Sequence, residues 1–124
     1  MIAADTSSLI AFFSGEKGKD VELIDSCLAD GLLILPPPVQ SELLSDPKLP
    51  KNLEQGILEL PLMEQKKELW KRVAFLRRIL LKKKLKARLA DSLIAQFCID
   101  HEIPLVTRDK DFKHFAKHSK LILI

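Results

Sequence analysis

The chain opens with MIAADTSSLIAFF (residues 1–13), which is largely apolar but contains the acidic residue Asp5. Ile2–Ala4 is predicted to form a short buried strand, and Ser7–Phe13 a helix with Asp5 or Thr6 near its N-cap. Desolvating an unpaired carboxylate costs on the order of several kcal/mol. A carboxylate at the junction of two buried elements therefore needs a physical reason.

Short apolar runs and helical periodicities alternate along the rest of the chain. Three further strands are predicted at Leu32–Leu35, Ile103–Thr107 and Leu121–Ile124. Four further short helices are predicted at Val21–Ala29, Pro38–Leu44, Leu53–Leu58 and Asp109–Ala116. No Gly or Pro interrupts Leu62 to Ile103, so two long helices are predicted there, with a break among the like charges of Lys82–Lys86. Continuously apolar strands alternating with helices are typical of a parallel sheet covered on both faces, which predicts one α/β domain over residues 1–124.

The composition bounds the class of protein. With 124 residues, 47% hydrophobic and 30% charged, the chain is typical of a single globular domain. No basic region precedes an apolar stretch at the N-terminus and no run is long enough to cross a bilayer, so we expect a cytoplasmic protein without a membrane partner. Cys27 and Cys98 lack CxxC spacing, which favours small buried thiols over a disulfide or a zinc site.

Positive charge is concentrated in one segment. Lys66–Arg88 holds 11 basic residues and a single acid, Glu68, whereas the remaining chain has 9 basic and 16 acidic residues. This segment could be a solvated helix face whose lysine stems cover apolar surface. It could instead be a binding surface for phosphates or for an acidic partner segment, but charge alone favours the solvated face.

Acidic residues fall where the predicted strands end. Asp5 directly follows the first strand, Glu42 lies about one helical turn after the second, and Asp109 immediately follows the third. Asp91 lies on a predicted helix, just off its apolar stripe. Ligands of open parallel sheets bind beyond the carboxyl ends of the strands. The sequence thus predicts four acids from distant positions at one edge of the sheet.

Four carboxylates in one pocket require a cation. Each like-charged pair about 4 Å apart costs on the order of 4 kcal/mol at an effective dielectric constant near 20. Mg²⁺ and Mn²⁺ prefer oxygen ligands, whereas the His and Cys ligands typical of zinc are missing from the set. Such a metal can activate water and stabilise the leaving oxygen in phosphodiester cleavage, with two ions about 3.5 to 4 Å apart able to do both.

Each acid also has a purely structural interpretation. Asp5 or Asp109 could cap a helix, and Glu42 could be exposed to solvent. Asp91 could pair with Arg88 three residues earlier. No single position decides between structure and chemistry.

Three motifs resemble those of the PIN-domain ribonucleases, most closely the VapC-type toxins of toxin–antitoxin modules. They are ADTSSLIAFF, VQSELL and LADSLIAQFCIDHEIPLVTRDKDF, and the resemblance spans nearly the whole chain. The segment KKKLKARLA before Asp91 lacks the glycine and the apolar residues that many relatives have there, and Ala3-Ala4 is smaller than the usual pair in the first strand.

The resemblance implies a three-layer α/β/α sandwich with a short, mainly parallel sheet. It implies a metal-dependent endoribonuclease whose acids at Asp5, Glu42, Asp91 and Asp109 bind Mg²⁺ or Mn²⁺ and form the catalytic set. Asp111 would share or replace the role of Asp109, and Thr107 would supply a hydroxyl that orients water or a ligand. It further implies an RNA substrate, a cognate antitoxin protein and a homodimer.

Other phosphate-binding classes lack their motifs in this sequence. There is no GxxxxGK[ST] and no GxGxxG, and Asp5 stands without the second acid that a receiver domain places in its first loop. Given the family resemblance, the basic segment is expected to follow an RNA backbone. The alternative is a non-catalytic PIN-like module that binds RNA or a protein partner.

Overall fold

A short parallel sheet lies at the centre of the computed structural model, which describes all 124 residues. Its strands are β1 (Ile2–Ala4), β2 (Leu33–Ile34) and β3 (Leu105–Val106), in the order β2-β1-β3. β1 is parallel to both neighbours, with Ala3 opposite Ile34 on one side and Leu105 on the other. Both alanines of β1 are fully buried. The strand that precedes Asp5 is therefore the centre of the fold.

Seven helices surround the sheet in the predicted α/β/α arrangement. They are α1 (Thr6–Phe13), α2 (Lys19–Ala29), α3 (Pro37–Leu44), α4 (Lys51–Glu59), α5 (Leu69–Lys82), α6 (Leu89–His101) and α7 (Phe112–His118). α1 packs on α2 and α3, while α5 packs on α6 and α7. None of the seven is both long and apolar enough to cross a membrane.

The α5–α6 pair follows the predicted pattern. Leu69, Val73, Leu76 and Leu80 form the buried stripe of α5, at the three- and four-residue spacing of one helix face. The helix ends at Lys82, and Lys84 has the left-handed φ of 59° that turns the chain away from the helix axis. The break therefore lies within the predicted lysine run.

The predicted fourth strand, Leu121–Ile124, is wrong. Only a single bridge forms there, between Leu105 and Leu123, in which Leu105 donates to the Ile122 carbonyl (2.9 Å) and accepts from the Ile124 N–H (3.1 Å). β3 has only two residues, so it offers this segment one bridging residue and no ladder.

The last helix also begins later than predicted, at Phe112 instead of Asp109. The Asp109 carboxylate accepts a hydrogen bond from the Asp111 N–H (2.9 Å), which holds the chain in a turn before the helix. Cys27 and Cys98 are free thiols, and Cys98 is buried.

An ion pair between Arg72 and Asp100 joins α5 to α6 and generates a stability prediction. The same Asp100 oxygen accepts from Gln96 (2.9 Å), while its other oxygen is buried without a partner. Arg72→Met would leave this carboxylate without its cation, so we expect a loss of about 2 to 4 kcal/mol in the free energy of unfolding, measured by urea denaturation.

The matched control is Lys71→Met. Lys71 pairs with Glu68 at 3.6 Å on the surface, with both side chains more than half exposed, so its loss should be below about 1 kcal/mol. Equal losses for the two variants would contradict the importance assigned to the Arg72–Asp100 pair.

Candidate active site

A cavity of about 240 Å³ lies beyond the carboxyl ends of β1 and β3. The four predicted acids all line it: Asp5, Glu42, Asp91 and Asp109. They reach it from four places, the ends of β1 and β3 and the helices α3 and α6. The structure thus brings together four carboxylates that are up to 104 residues apart in the sequence. A larger cavity of about 660 Å³ runs along α5 but contains no carboxylate.

Asp5 is the most buried of the four, with 4% of its surface exposed. Its carboxylate caps α1 by accepting from the Ser8 N–H (3.1 Å), and it also accepts from the hydroxyls of Ser7 (2.8 Å) and Thr107 (2.7 Å). Burial raises the pKa of Asp5, while these hydrogen bonds act to lower it. Capping and cavity lining are therefore two roles of one side chain.

Glu42 is exposed, but its position is defined. Its Oε1 accepts a hydrogen bond from the Thr6 hydroxyl (2.8 Å), which ties α3 to the first turn of α1 beside Asp5. The predicted helix over VQSELL thereby directs Glu42 toward Asp5, the acid that follows β1.

Asp91 lies in the first turn of α6 and is surrounded by negative charge. Burial, followed by the negative charges of Asp109, Glu42 and Asp5, raises the pKa of Asp91 to about 6, against the opposing effect of Arg88. The structural alternative for Asp91, an ion pair with Arg88, does not form, because no carboxylate lies within 4.0 Å of the Arg88 guanidinium.

Asp109 and Asp111 differ in their surroundings. Carboxylate oxygens of Asp91, Asp109 and Asp111 lie within 4.8 Å of one another. Asp109 lines the cavity, whereas Asp111 lies outside its lining and pairs with Lys86 at 3.3 Å. Asp109 is thus the better placed of the two to act with the other three acids.

Thr107 organises two of the acids. Its hydroxyl donates to Asp5 (2.7 Å) and accepts from the Asp109 N–H (3.0 Å). The predicted role for this hydroxyl was to orient water or a ligand. In the structure this hydroxyl links the Asp5 carboxylate, which follows β1, to the backbone of Asp109, which follows β3.

Sequence reasoning missed a second link, between Arg108 and Asp20. The guanidinium donates two hydrogen bonds of 2.7 Å to the Asp20 carboxylate, which also accepts from Ser8 (3.0 Å), and the Arg108 hydrogen bond lowers the pKa of Asp20 to about 2. Gly18 has a φ of 150°, which favours glycine, and a Cβ there would lie 2.6 Å from the Asp20 carboxylate and displace it. This clamp fastens the loop that carries Asp109 to the start of α2.

The acids suit a hard divalent cation. All of the donors are carboxylate oxygens, and their mutual repulsion, which adds to burial in raising the pKa of Asp91, would be relieved by a cation between them. No His or Cys lines the cavity to favour zinc.

Comparisons with known proteins give one family match. A sequence model described as PIN domain matches residues 2–118. No curated protein sequence matches the chain significantly.

Three similar structures come from bacterial complexes. VapBC2 from Rickettsia felis, bound to a DNA fragment from its promoter, has a TM-score of 0.73 and 21% identity, covering 100% of this chain and 98% of that chain. VapBC-5, of the VapBC family of toxin–antitoxin systems from Mycobacterium tuberculosis, has a TM-score of 0.66 and 17% identity over 99% and 98%. FitAcB from Neisseria gonorrhoeae has a TM-score of 0.69 and 18% identity over 100% and 96%. At these identities the likeness establishes the fold.

The raised pKa of Asp91 predicts how stability depends on pH without metal. The pKa is about 6 in the folded chain and 3.8 as the ordinary value, so between these values the folded state binds more protons than the unfolded state. Stability contributed by this group therefore falls as pH rises from about 4 to about 6 and stays lower above that. We expect Asp91→Asn to raise the Tm at pH 7 in EDTA by several degrees and to have little effect at pH 4.

Asp25→Asn is the control, because Asp25 is an exposed carboxylate on α2. Its thermal unfolding curves, followed by circular dichroism, should match those of the parent chain at both pH values. A Tm for Asp91→Asn that stays at or below the parent value at pH 7 would contradict the inference that burial and neighbouring negative charge disfavour the ionised Asp91 carboxylate.

Proposed function

The chain belongs to the PIN domain family, and from this premise we propose that it is a Mg²⁺- or Mn²⁺-dependent endoribonuclease that acts as the toxin of a toxin–antitoxin pair. The observation that carries the proposal is the cavity shared by Asp5, Glu42, Asp91 and Asp109. We also propose that residues 1–124 form one domain, since the family match and the central sheet extend across nearly all of them.

In this proposal the four acids hold the metal and form the catalytic set. When bound, a divalent ion supplies activation of water and stabilisation of charge on the phosphate and the leaving oxygen. Ser7 and Thr107 keep the Asp5 carboxylate in a fixed orientation through their hydroxyls. We propose that Asp111 shares metal binding with Asp91 and Asp109, since their carboxylate oxygens lie within 4.8 Å of one another, while Lys86 pairs with Asp111 at 3.3 Å.

The substrate proposed is single-stranded RNA or an RNA loop. A cavity of about 240 Å³ at the end of a sheet accepts a bent backbone more readily than a rigid duplex. The basic segment Lys66–Arg88 covers α5 and the connection to α6, and Arg88 reaches the cavity from its end. RNA bound along this segment should be released as the salt concentration rises.

The proposal extends to partners and location. The similar structures include members named as toxin–antitoxin systems, which supports a protein antitoxin for this chain. We propose a homodimer on the same family grounds. The cytoplasm is the proposed location, because RNA is available there and thiols such as Cys27 and Cys98 remain reduced.

We expect the purified chain to cleave single-stranded RNA with Mg²⁺ or Mn²⁺ and to lose this activity in EDTA. Asp5→Asn and Asp91→Asn should each lower cleavage at least about 100-fold, because each removes a charged ligand while preserving side-chain size. Cleavage is measured with a fluorescent RNA, RNA affinity by anisotropy and folding by circular dichroism.

Asp25→Asn is again the control and should cleave normally. Full activity of Asp91→Asn would rule out the proposed site. Tight RNA binding by the parent chain with no cleavage under any divalent ion would favour the alternative, a non-catalytic RNA-binding or protein-interaction module.

The toxin role predicts a growth phenotype. Induction of the parent chain in a bacterial host should arrest growth, induction of Asp91→Asn should not, and co-expression of a small adjacent gene product should restore growth and co-purify with the chain. Arrest by both forms would show that toxicity does not depend on the acidic cavity.

A further inference from the structure

We propose that Arg88 is the phosphate-binding side chain of the acidic cavity, where its guanidinium contacts the non-bridging oxygens of the phosphodiester to be cleaved. This inference rests on the proposed function, since it takes the RNA backbone as the ligand. Three observations on Arg88 support it: the residue lines the cavity, its guanidinium is unpaired, and its backbone is held by hydrogen bonds.

Arg88 is the only basic residue that lines the cavity. It lies there with four carboxylates, yet its exposed side chain makes no ion pair and no hydrogen bond. By contrast, the guanidinium of Arg72 pairs with Asp100 and that of Arg108 with Asp20. Lys86, the other cation close to the acids, is already paired with Asp111. Arg88 therefore has its full set of hydrogen-bond donors available to a ligand.

The backbone of Arg88 is held on both sides. Arg77 donates from Nε to the Ala87 carbonyl (2.7 Å), and Ala87 is itself buried. The Arg88 carbonyl accepts from the N–H (2.9 Å) and the hydroxyl (2.8 Å) of Ser92 in the first turn of α6. Because this backbone is already ordered, a ligand bound by Arg88 has to order its side chain but no loop.

The balance of charge in the cavity favours a cationic side chain where the phosphate would enter. Four carboxylates carry four negative charges, so one divalent ion leaves the acids at a net −2 before a phosphodiester adds another negative charge. A positive charge in the same cavity offsets this repulsion at the point where the phosphate must enter. The planar guanidinium can bind two phosphate oxygens at once, which a lysine ammonium cannot match in geometry.

The first test observes binding without cleavage. The full chain labelled with ¹⁵N in its arginines is titrated with a phosphorothioate-linked single-stranded trinucleotide in Ca²⁺, and the Nε–H signals are followed by NMR. We expect a saturable shift of the Arg88 signal and none for Arg72, which is paired with Asp100 away from the cavity. An Arg88 signal that does not move overturns the inference, whether or not other signals respond.

The second test separates binding from turnover in RNA cleavage. Arg88→Ala should lower kcat at saturating RNA by about 100- to 1000-fold, and Arg88→Lys should recover part of the loss. Arg78→Ala, which removes a cation from the basic segment outside the cavity, should raise KM at low salt and spare kcat. Lys51→Ala on α4 controls for the loss of one exposed positive charge and should cleave like the parent chain.

The outcomes separate this inference from the proposed function. Cleavage by the parent chain together with an unchanged kcat for Arg88→Ala overturns the phosphate site and leaves the nuclease. A shifted Arg88 signal in a chain that cleaves no RNA supports the phosphate site and removes the nuclease. Faster cleavage by Arg88→Ala overturns the inference, because it would identify Arg88 as an internal counter-ion that competes with the metal.

Discussion

The buried carboxylate of Asp5 is the interaction on which the rest of the structure depends. It follows the central strand, begins α1 through the Ser8 N–H, and receives the Thr107 hydroxyl from the end of β3. One side chain thereby joins the start of a helix to the ends of two neighbouring strands. Hydrogen bonds from Ser7, Ser8 and Thr107 offset part of the cost of desolvating it, although burial still raises its pKa, and the same bonds hold it at the wall of the cavity.

The structure places two aspartates near this junction in opposite electrostatic environments. Asp20 accepts two hydrogen bonds from Arg108, which hold its pKa at about 2. Asp91 is partly buried among other carboxylates, and its pKa rises to about 6. Asp20 is thus part of a structural clamp, while the negative charge around Asp91 is opposed only in part, by Arg88. Of the two aspartates, Asp91 is therefore the one suited to bind a cation.

Cations of α5 and of its connection to α6 have structural and electrostatic roles around the acidic cavity. Arg77 holds the Ala87 carbonyl, Lys86 pairs with Asp111, and Arg88 stays unpaired at the cavity. The connection forms where like charges crowd the end of α5, so the feature that breaks the helix also delivers positive charge to the acids. The positive charges of this segment therefore end the helix and also place cations beside the acidic cavity.

The sequence by itself determined the elements whose signals are local. Spacing within a few residues predicts the apolar run of β1, the stripe of α5 and the break after Lys82. The sequence placed the cap of α1 at Asp5 or Thr6, and the structure has it at Asp5. It also indicated that acids would meet at one sheet edge, because parallel strands share the direction of their carboxyl ends. The sequence wrongly predicted a strand at Leu121–Ile124, because the apolar composition suits a strand but the neighbouring β3 is only two residues long.

The tertiary structure alone decided the pairing of Arg108 with Asp20, the difference between Asp109 and Asp111, and the free guanidinium of Arg88. Such contacts depend on how helices and loops pack in three dimensions, and no short-range pattern encodes a hydrogen bond between side chains 88 residues apart.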